Sequence, residues 1–318
     1  MIRGSTKTSQ ASDYDSGSLG AAIEMVARSA GVEIDSDVVS AMMGWPWLIC
    51  AGADESCPRT WHRLARDAFF TQASHALGLS LRELHPPRAA RGLDALAEFP
   101  QHFDASYKPL ILRALEHRQP VILAATDPDG NAPTWRVILP EQTSTDDALT
   151  RSLSTTAPAP TQVYVVERMS QSVADFDQLL AVTLDHARRA LSGEVDRSLG
   201  VVTGPRACDR WIRSLSDNKP CPSCGKAIES CHTALAGTIA GEHVRLIRFL
   251  DAHRGGVPDE TRRLVATIET TSRDVIASLG GQEPASTIPQ AVAAIANLRA
   301  SLVRLLTALD ARALVAPR

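Results

Sequence analysis

The chain has 318 residues, of which 44% are hydrophobic, 22% charged and 4% aromatic. Those proportions are typical of an ordinary globular protein, and the length suffices for two domains of roughly 100–200 residues each. The formal net charge of −3 gives no electrostatic reason to expect a nucleic-acid partner.

Targeting signals and disulfides are also disfavoured. Residues 1–16 are polar and rich in Ser and Thr, without the apolar core of a signal peptide, so we expect a mobile tail there. No stretch approaches the roughly 20 apolar residues that a membrane-spanning helix needs. Six cysteines are too few for a disulfide framework in a chain of this length. We therefore expect a cytoplasmic protein with reduced thiols and no membrane partner.

The first half begins with helices and ends with strands. Apolar residues recur at helical spacing from Leu19 to Ala30, a short helix is predicted over 36–43, and a longer one begins at Pro58 and ends before Gly78. After a further helix over 106–116, runs rich in Val and Ile predict strands, with turn-forming residues between the first two. The predicted strands are 80–84, 120–124, 134–139 and 161–166. This order indicates an α+β domain with a small antiparallel sheet.

The second half reads as helical throughout. Amphipathic helices are predicted from 172, from Pro205, and over 226–253, 258–279 and 288–314. Each has an apolar stripe that needs neighbours, so a bundle of about five helices is the natural packing. The predicted domains are therefore a tail over 1–16, an α+β domain over 17–168 and an all-α helical bundle over 172–318.

Short motifs link the chain to a known family. The helix opening at Ser18, the Pro120-Val121 strand entry and the Thr134-Trp135 strand occur in the order found in papain-like double-glycine peptidases. More closely, the chain resembles the N-terminal domain family of butirosin biosynthesis protein H. Relatives carry a helical C-terminal domain with a spaced pattern that this chain also has, and the resemblance as a whole covers about 20–315. The matching residues there are Trp211, Leu215, Cys231, Arg245, Phe249 and Leu250.

The resemblance implies a thiol at the start of the first helix and a histidine on the sheet. A helix N-terminus favours the thiolate, and the imidazole takes its proton. This chain has Ser18 in place of the Cys, and Thr134 and Trp135 in place of the His. No histidine occurs between His117 and His186. The usual Cys–His mechanism is therefore not expected.

Two other side chains are candidate nucleophiles, and each has a structural alternative. Ser18 has the chemistry of a weak nucleophile, but Ser is also among the best helix N-cap residues. Cys57 precedes Pro58 and lies five residues before His62, which allows a Cys–His pair. The alternative for Cys57 is a small buried apolar side chain.

A metal motif occurs in the second half. Cys221 and Cys224 belong to a Cys-Pro-x-Cys-Gly sequence typical of a zinc knuckle. A closed site needs two more ligands, for which the candidates are Cys208 and one of the neighbours Cys231 and His232. The alternative for Cys231 is core packing, because it falls on the apolar stripe of its predicted helix. A redox Cys-x-x-Cys pair lacks the thioredoxin-like context.

These observations favour a catalytically degenerate papain-like protein that binds a small molecule, a peptide or a carrier protein in the interdomain or former active-site cleft. No organic cofactor is expected, and a second copy of the chain is a further candidate partner. One alternative is an acyltransferase or amide hydrolase of natural-product or peptide metabolism. The other is an interaction protein stabilised by structural zinc.

Overall fold

The structure, a computed structural model, describes most of the chain. The described residues are 18–52, 57–64, 66, 68–84, 107–125, 134–140, 160–170, 174–195, 201–217, 219–221, 225–252, 257–279 and 284–313. The predicted tail over 1–16 and Cys224 lie outside them. Two compact units are formed by the described parts of Met1–Val26 with Leu81–Glu167, and of Ala27–Ser80 with Arg168–Arg318.

The first unit contains the start of helix α1, Ser18–Ser29, helix α5, Lys108–Glu116, and a four-stranded sheet. The strands are β2 Leu79–Glu83, β3 Val121–Ala125, β4 Thr134–Ile138 and β5 Pro160–Met169, in the order β2-β5-β3-β4. Strand β3 runs antiparallel to both neighbours, with Val121 opposite Ile138 on one side and Val165 on the other. The predicted α+β fold with a small antiparallel sheet is confirmed at this level.

One face of that sheet forms the core of the first unit. Side chains alternate across a strand, so Val121 and Leu123 of β3 are buried in one cluster with Ile111 and Leu115 of α5. Helix α5 ends at a turn in which Arg118 takes a left-handed φ of 58°. There the Gln119 amide donates to the Ala114 carbonyl at 2.9 Å, which closes the helix end and directs the chain into β3.

The second unit is mainly helical. Its helices are α2 Ser36–Met42, α3 Trp61–Leu64, α4 Phe70–Leu77, α6 Phe176–Ser192, α7 Pro205–Ser216, α8 Ile228–Ala252, α9 Asp259–Leu279 and α10 Pro284–Ala313. It also contains 3₁₀ turns at Trp45–Trp47 and Pro58–Thr60, and an antiparallel pair of short strands, β1 Cys50–Ala51 and β6 Val202–Thr203. A helical C-terminal region is therefore confirmed.

The helices of the second unit come from both halves of the sequence. Helix α9 packs between α8 and α10, and α10 also contacts α7 and α6. Helix α2 lies against α8 and α6, and the 3₁₀ turn Pro58–Thr60 lies against α8. The unit therefore includes segments from residues 27–80, whereas the sequence-based division at 168–172 follows chain order.

The long helix predicted from Pro58 is wrong. The chain instead forms a 3₁₀ turn and α3, and Phe69 separates these from α4 with φ −115° and ψ 11°. The Phe69 ring is buried and stacks on His186 of α6, with the ring centroids 4.1 Å apart. A contact with a distant helix thus accompanies the interruption, which local helical periodicity does not register.

The prediction that no segment approaches a membrane-spanning length is also wrong. Within α10, Ile288–Ala311 is long and apolar enough by length and composition, with a mean hydropathy of 1.5. A core helix passes the same test, and the residues of α10 that pack inside the unit repeat at helical spacing. They are Ala291, Ile295, Leu298, Leu302, Leu305 and Leu309. This helix packs against α9 and α7, and 39% of its most apolar stretch is buried.

Candidate metal centre

Three cysteine thiols meet inside the second unit. The sulfur atoms of Cys57, Cys221 and Cys231 all lie within 4.8 Å of one another. Cys57 is 5% exposed, Cys221 1% and Cys231 0%. The Sγ atoms of Cys57 and Cys231 are 3.7 Å apart, although 174 positions separate them in the chain. We refer to these three residues as the thiol cluster.

Two short-range features position Cys57 and Cys231. Cys57 is the residue before the 3₁₀ turn Pro58–Thr60 and has an extended backbone, with φ −69° and ψ 125°. Proline is well suited to start such a turn because its φ is already fixed near the helical value. Cys231 lies one turn into α8, on the same buried stripe as Ile228 and Leu235. The helical stripe therefore delivers the Cys231 thiol to the interior.

A compact turn holds Cys221. The Cys221 amide donates to the Lys226 carbonyl at 3.0 Å, and the Gly225 amide donates to the Cys221 carbonyl at 2.8 Å. Gly225 has a left-handed φ of 66°, a conformation that glycine adopts without the steric cost of a side chain. These two hydrogen bonds hold Gly225 and Lys226 beside Cys221.

The spacing of the sulfurs matches thiolate coordination of zinc. A Zn–S bond of about 2.3 Å in a tetrahedral site puts the sulfurs about 3.8 Å apart. An equilateral triangle of sulfurs with edges between 3.7 and 4.8 Å has its centre about 2.1 to 2.8 Å from each sulfur, which brackets that bond length. The thiol cluster can therefore supply three ligands to one ion after small side-chain adjustments.

His232, the residue after Cys231, is buried between two tryptophan rings. The His232 ring lies edge-on to Trp61, with centroids 6.0 Å apart, and is stacked near Trp211 at 6.3 Å. Burial lowers the pKa of His232 to about 4, so the imidazole is uncharged at neutral pH. The thiol cluster itself is buried together with Ile228, and such an apolar environment strengthens electrostatic attraction between a cation and thiolates.

The predicted metal ligands are only partly brought together. Cys221 and Cys231 are both in the thiol cluster, and Cys224 lies outside the described residues. Cys208 is buried on α7 and is not a member of the cluster. Desolvation, together with the charge of Asp209, raises the pKa of the Cys208 thiol to about 12. Cys208 therefore has the character of a neutral core side chain.

Cys57 is predicted from the sequence as a catalytic candidate and not as a possible metal ligand. No spacing motif connects Cys57 to the Cys-Pro-x-Cys segment, since Cys221 lies 164 positions further along the chain. The one local signal is its position before Pro58, at the start of a turn. In the structure the neighbours of the Cys57 thiol include Cys221 and Cys231, and His62 lies half-buried on α3.

The other catalytic candidates lie in the first unit. Ser18 is the first residue of α1, and Thr134 is the first residue of β4, opposite Ala125. Trp135 is half-buried and stacks on Tyr164, with ring centroids 5.9 Å apart. Within the described part of this unit the one histidine is His117, exposed at the end of α5. Trp135 therefore has a packing role there.

Comparison with known proteins adds no relative. No protein-family model matches the chain, and no curated protein is similar to it.

Proposed function

We propose that this protein is a non-catalytic protein whose helical unit is stabilised by a structural zinc ion, bound by Cys57, Cys221 and Cys231. The meeting of three buried thiols from sequence-distant segments carries the proposal. An ion shared by these thiols would cross-link a loop of more than 160 residues, which restricts the unfolded chain as a disulfide does. It would also hold the 3₁₀ turn Pro58–Thr60 against α8.

The ligand chemistry favours zinc in a structural role. Sulfur-only sites select soft or borderline metals, and a tetrahedral thiolate set is typical of structural zinc. A catalytic zinc site keeps one position open to water or substrate, whereas all three thiols here are buried. The spacing from Cys221 makes Cys224 the sequence-based candidate for the fourth ligand, and an acyltransferase or protease role for the ion is not favoured.

The test is the zinc content of the purified full-length chain. We expect about one zinc per chain by inductively coupled plasma mass spectrometry, falling several-fold in Cys231→Ala. Cys208→Ala is the matched control, because it also removes a buried helical thiol of the same unit but lies outside the cluster. Native protein that contains no zinc and takes up none when the ion is added would refute the proposal.

The sequence-based proposal of a degenerate papain-like scaffold concerns the first unit. It holds that the chain binds a small molecule, a peptide or a carrier protein without turning it over. The packing of Trp135 on Tyr164, at the strand where the resemblance implies a histidine, supports the non-catalytic version. Ser18→Ala should then leave ligand binding and any hydrolysis unchanged, and a large loss of turnover in that variant would contradict the proposal.

The acyltransferase or amide-hydrolase alternative requires a covalent intermediate on Ser18 or Cys57. The position of Cys57 in the thiol cluster supports a ligand role over a nucleophile role, because its thiolate would be held by the ion. Incubation with an acyl thioester and intact-mass measurement separates the two. A stable acyl adduct on Ser18 or Cys57 would favour the enzyme.

A further inference from the structure

We propose that Cys57 and Cys231 form a disulfide when the protein meets a hydroperoxide, and that this oxidation releases the ion from the thiol cluster. The inference rests on the zinc site proposed above and assigns to that site a second, regulatory property. It would make the stability of the helical unit depend on the oxidation state of one pair of sulfurs.

The distance between the sulfurs is short enough for this reaction. The Cys57 and Cys231 Sγ atoms are 3.7 Å apart, and a disulfide bond is about 2.05 Å long. The two atoms must therefore approach by about 1.7 Å. Rotation of one cysteine side chain, with a small shift of its backbone, can supply a movement of this size.

The two residues differ in how firmly the backbone holds them. Cys231 lies within the 25-residue helix α8, where successive hydrogen bonds fix its position. Cys57 lies outside regular helix, next to a 3₁₀ turn of three residues. Short 3₁₀ turns have poorer hydrogen-bond geometry than α-helices, so the movement is easier on the Cys57 side.

The same asymmetry decides which sulfur reacts first. Cys57 is the most exposed member of the cluster, at 5% against 1% for Cys221 and 0% for Cys231. Oxidation of cysteine depends on thiolate character and access. Cys57 would have thiolate character when bound to the ion, and it has the best access of the three thiols. Its burial makes the reaction slower than at an exposed sensor cysteine.

The chemistry balances with one hydroperoxide per pair. The Cys57 thiolate attacks the peroxide oxygen and becomes a sulfenic acid, and the O–O bond breaks with release of hydroxide or alkoxide. The Cys231 thiolate then attacks the Cys57 sulfur, the S–S bond forms, and a second hydroxide leaves. The two sulfurs together lose two electrons, and the peroxide gains them. Cys221 is the remaining thiolate of the described cluster, and the ion dissociates.

Two other buried cysteines serve as internal controls. The Cys50 thiol donates to the Leu48 carbonyl at 3.2 Å. Cys208 has a pKa raised to about 12 by burial, so almost none of it is thiolate at neutral pH. Neither belongs to the thiol cluster. Both should remain reduced while Cys57 and Cys231 react.

The experiment treats the full-length, zinc-loaded protein with excess hydrogen peroxide. Released zinc is followed with a chromogenic chelator, and the disulfide is located by mass spectrometry of the unreduced proteolytic digest. We expect one zinc released for each Cys57–Cys231 disulfide, and rebinding of the ion after reduction with dithiothreitol. Cys208→Ala should behave like the native chain. Cys57→Ala lacks one sulfur of the proposed pair, so its Cys231 should not appear in the Cys57–Cys231 disulfide.

The outcomes separate this inference from the proposed zinc site. Zinc that stays bound while every thiol remains reduced overturns the switch and leaves the site intact. Release with a different disulfide, or with sulfinic acid and no disulfide, also overturns it. If the protein binds no zinc, the zinc site fails, and the same digests then decide the disulfide alone: a Cys57–Cys231 link supports the redox pair, and its absence overturns that too.

Discussion

Acidification should destabilise the helical unit through a buried histidine on α8. The His243 ring is fully buried, its Nδ1 lies 2.8 Å from the Ile239 carbonyl oxygen, and its Nε2 has no hydrogen-bond partner among the described residues. A carbonyl oxygen only accepts, so Nδ1 carries the hydrogen, and protonation at Nε2 would place a charge beside the Trp47 ring, 6.3 Å away between centroids. Desolvation lowers the pKa of His243 to about 4.

The sign of the effect follows from the two protonation states. An unfolded histidine has a pKa of about 6.5, so below that pH the unfolded chain binds a proton that the folded chain does not. The stability is fully present above pH 6.5 and is lost as the pH falls toward 4. Between pH 7.5 and 5.0 the folding equilibrium constant falls by about 1.4 log units through His243. At about 1.36 kcal/mol per log unit, the free energy of unfolding falls by about 2 kcal/mol. The charge of Glu269 raises the pKa of His243, but desolvation by burial lowers it by more.

Other groups titrate over the same interval, so the variant is compared with the native chain. Burial lowers the pKa of His186 to about 4 despite the nearby charge of Asp185, which adds a loss of the same sign. Burial raises the pKa of Glu242, so its contribution has the opposite sign and is lost as the pH rises. Thiolates bound to an ion also protonate in acid. All of these are common to the native chain and to a His243 variant.

The assay is urea unfolding followed by circular dichroism at pH 7.5 and pH 5.0, for the native chain and for His243→Gln. Glutamine does not titrate, so the native chain should lose about 2 kcal/mol more than the variant on acidification. The packing cost of the substitution lowers the free energy of unfolding equally at both pH values, so it cancels from the change on acidification. His75→Gln, exposed on α4, is the control. An equal loss in the native chain and in His243→Gln, within about 0.5 kcal/mol, would refute the reasoning.

Four further perturbations test the packing and the metal. Gly204→Ala should cost about 2–4 kcal/mol in urea unfolding, because Gly204 has φ 61° and an added Cβ would lie 2.9 Å from the Leu191 backbone. Gly237→Ala should instead raise stability by about 0.5–1 kcal/mol, because Gly237 is exposed within α8 and nothing lies within 4 Å of the added Cβ. A change of stability with the same sign in both glycine variants would contradict this. Ser40→Ala should cost about 1–3 kcal/mol, because its hydroxyl donates to the buried Glu242 carboxyl at 2.5 Å, and an unchanged unfolding midpoint would show that this contact is dispensable. Chelation of zinc should lower the unfolding temperature of the native chain but leave that of Cys231→Ala unchanged, as measured by differential scanning calorimetry.

The elements of the fold with strong local signals were predictable. The strands around 120–139 have apolar runs on both sides of a turn, and they appear as β3 and β4 in antiparallel register. Pro205 begins α7, and Gly78 ends α4 in a left-handed conformation. Helix capping and strand pairing across a short turn depend on residues close in sequence. Local pattern therefore suffices for them.

Segments governed by distant contacts were less predictable. The helical periodicity that begins at Pro58 continues across Phe69, where the structure interrupts the helix and stacks the ring on His186. The hydrophobic stripe that includes Cys231 predicts burial correctly, but burial on a stripe does not reveal which side chains meet there. The sequence therefore indicated that Cys231 is inside without indicating its neighbours.

By itself the sequence determined the α+β class, most of the helices and strands, and the helical C-terminal region. The tertiary structure alone decided that helices from residues 27–80 pack with the C-terminal helices, and that Cys57 joins Cys221 and Cys231. The physical reason is that secondary structure follows from side-chain periodicity over a few residues, whereas a thiol cluster needs chain segments more than 160 residues apart to be packed into one core.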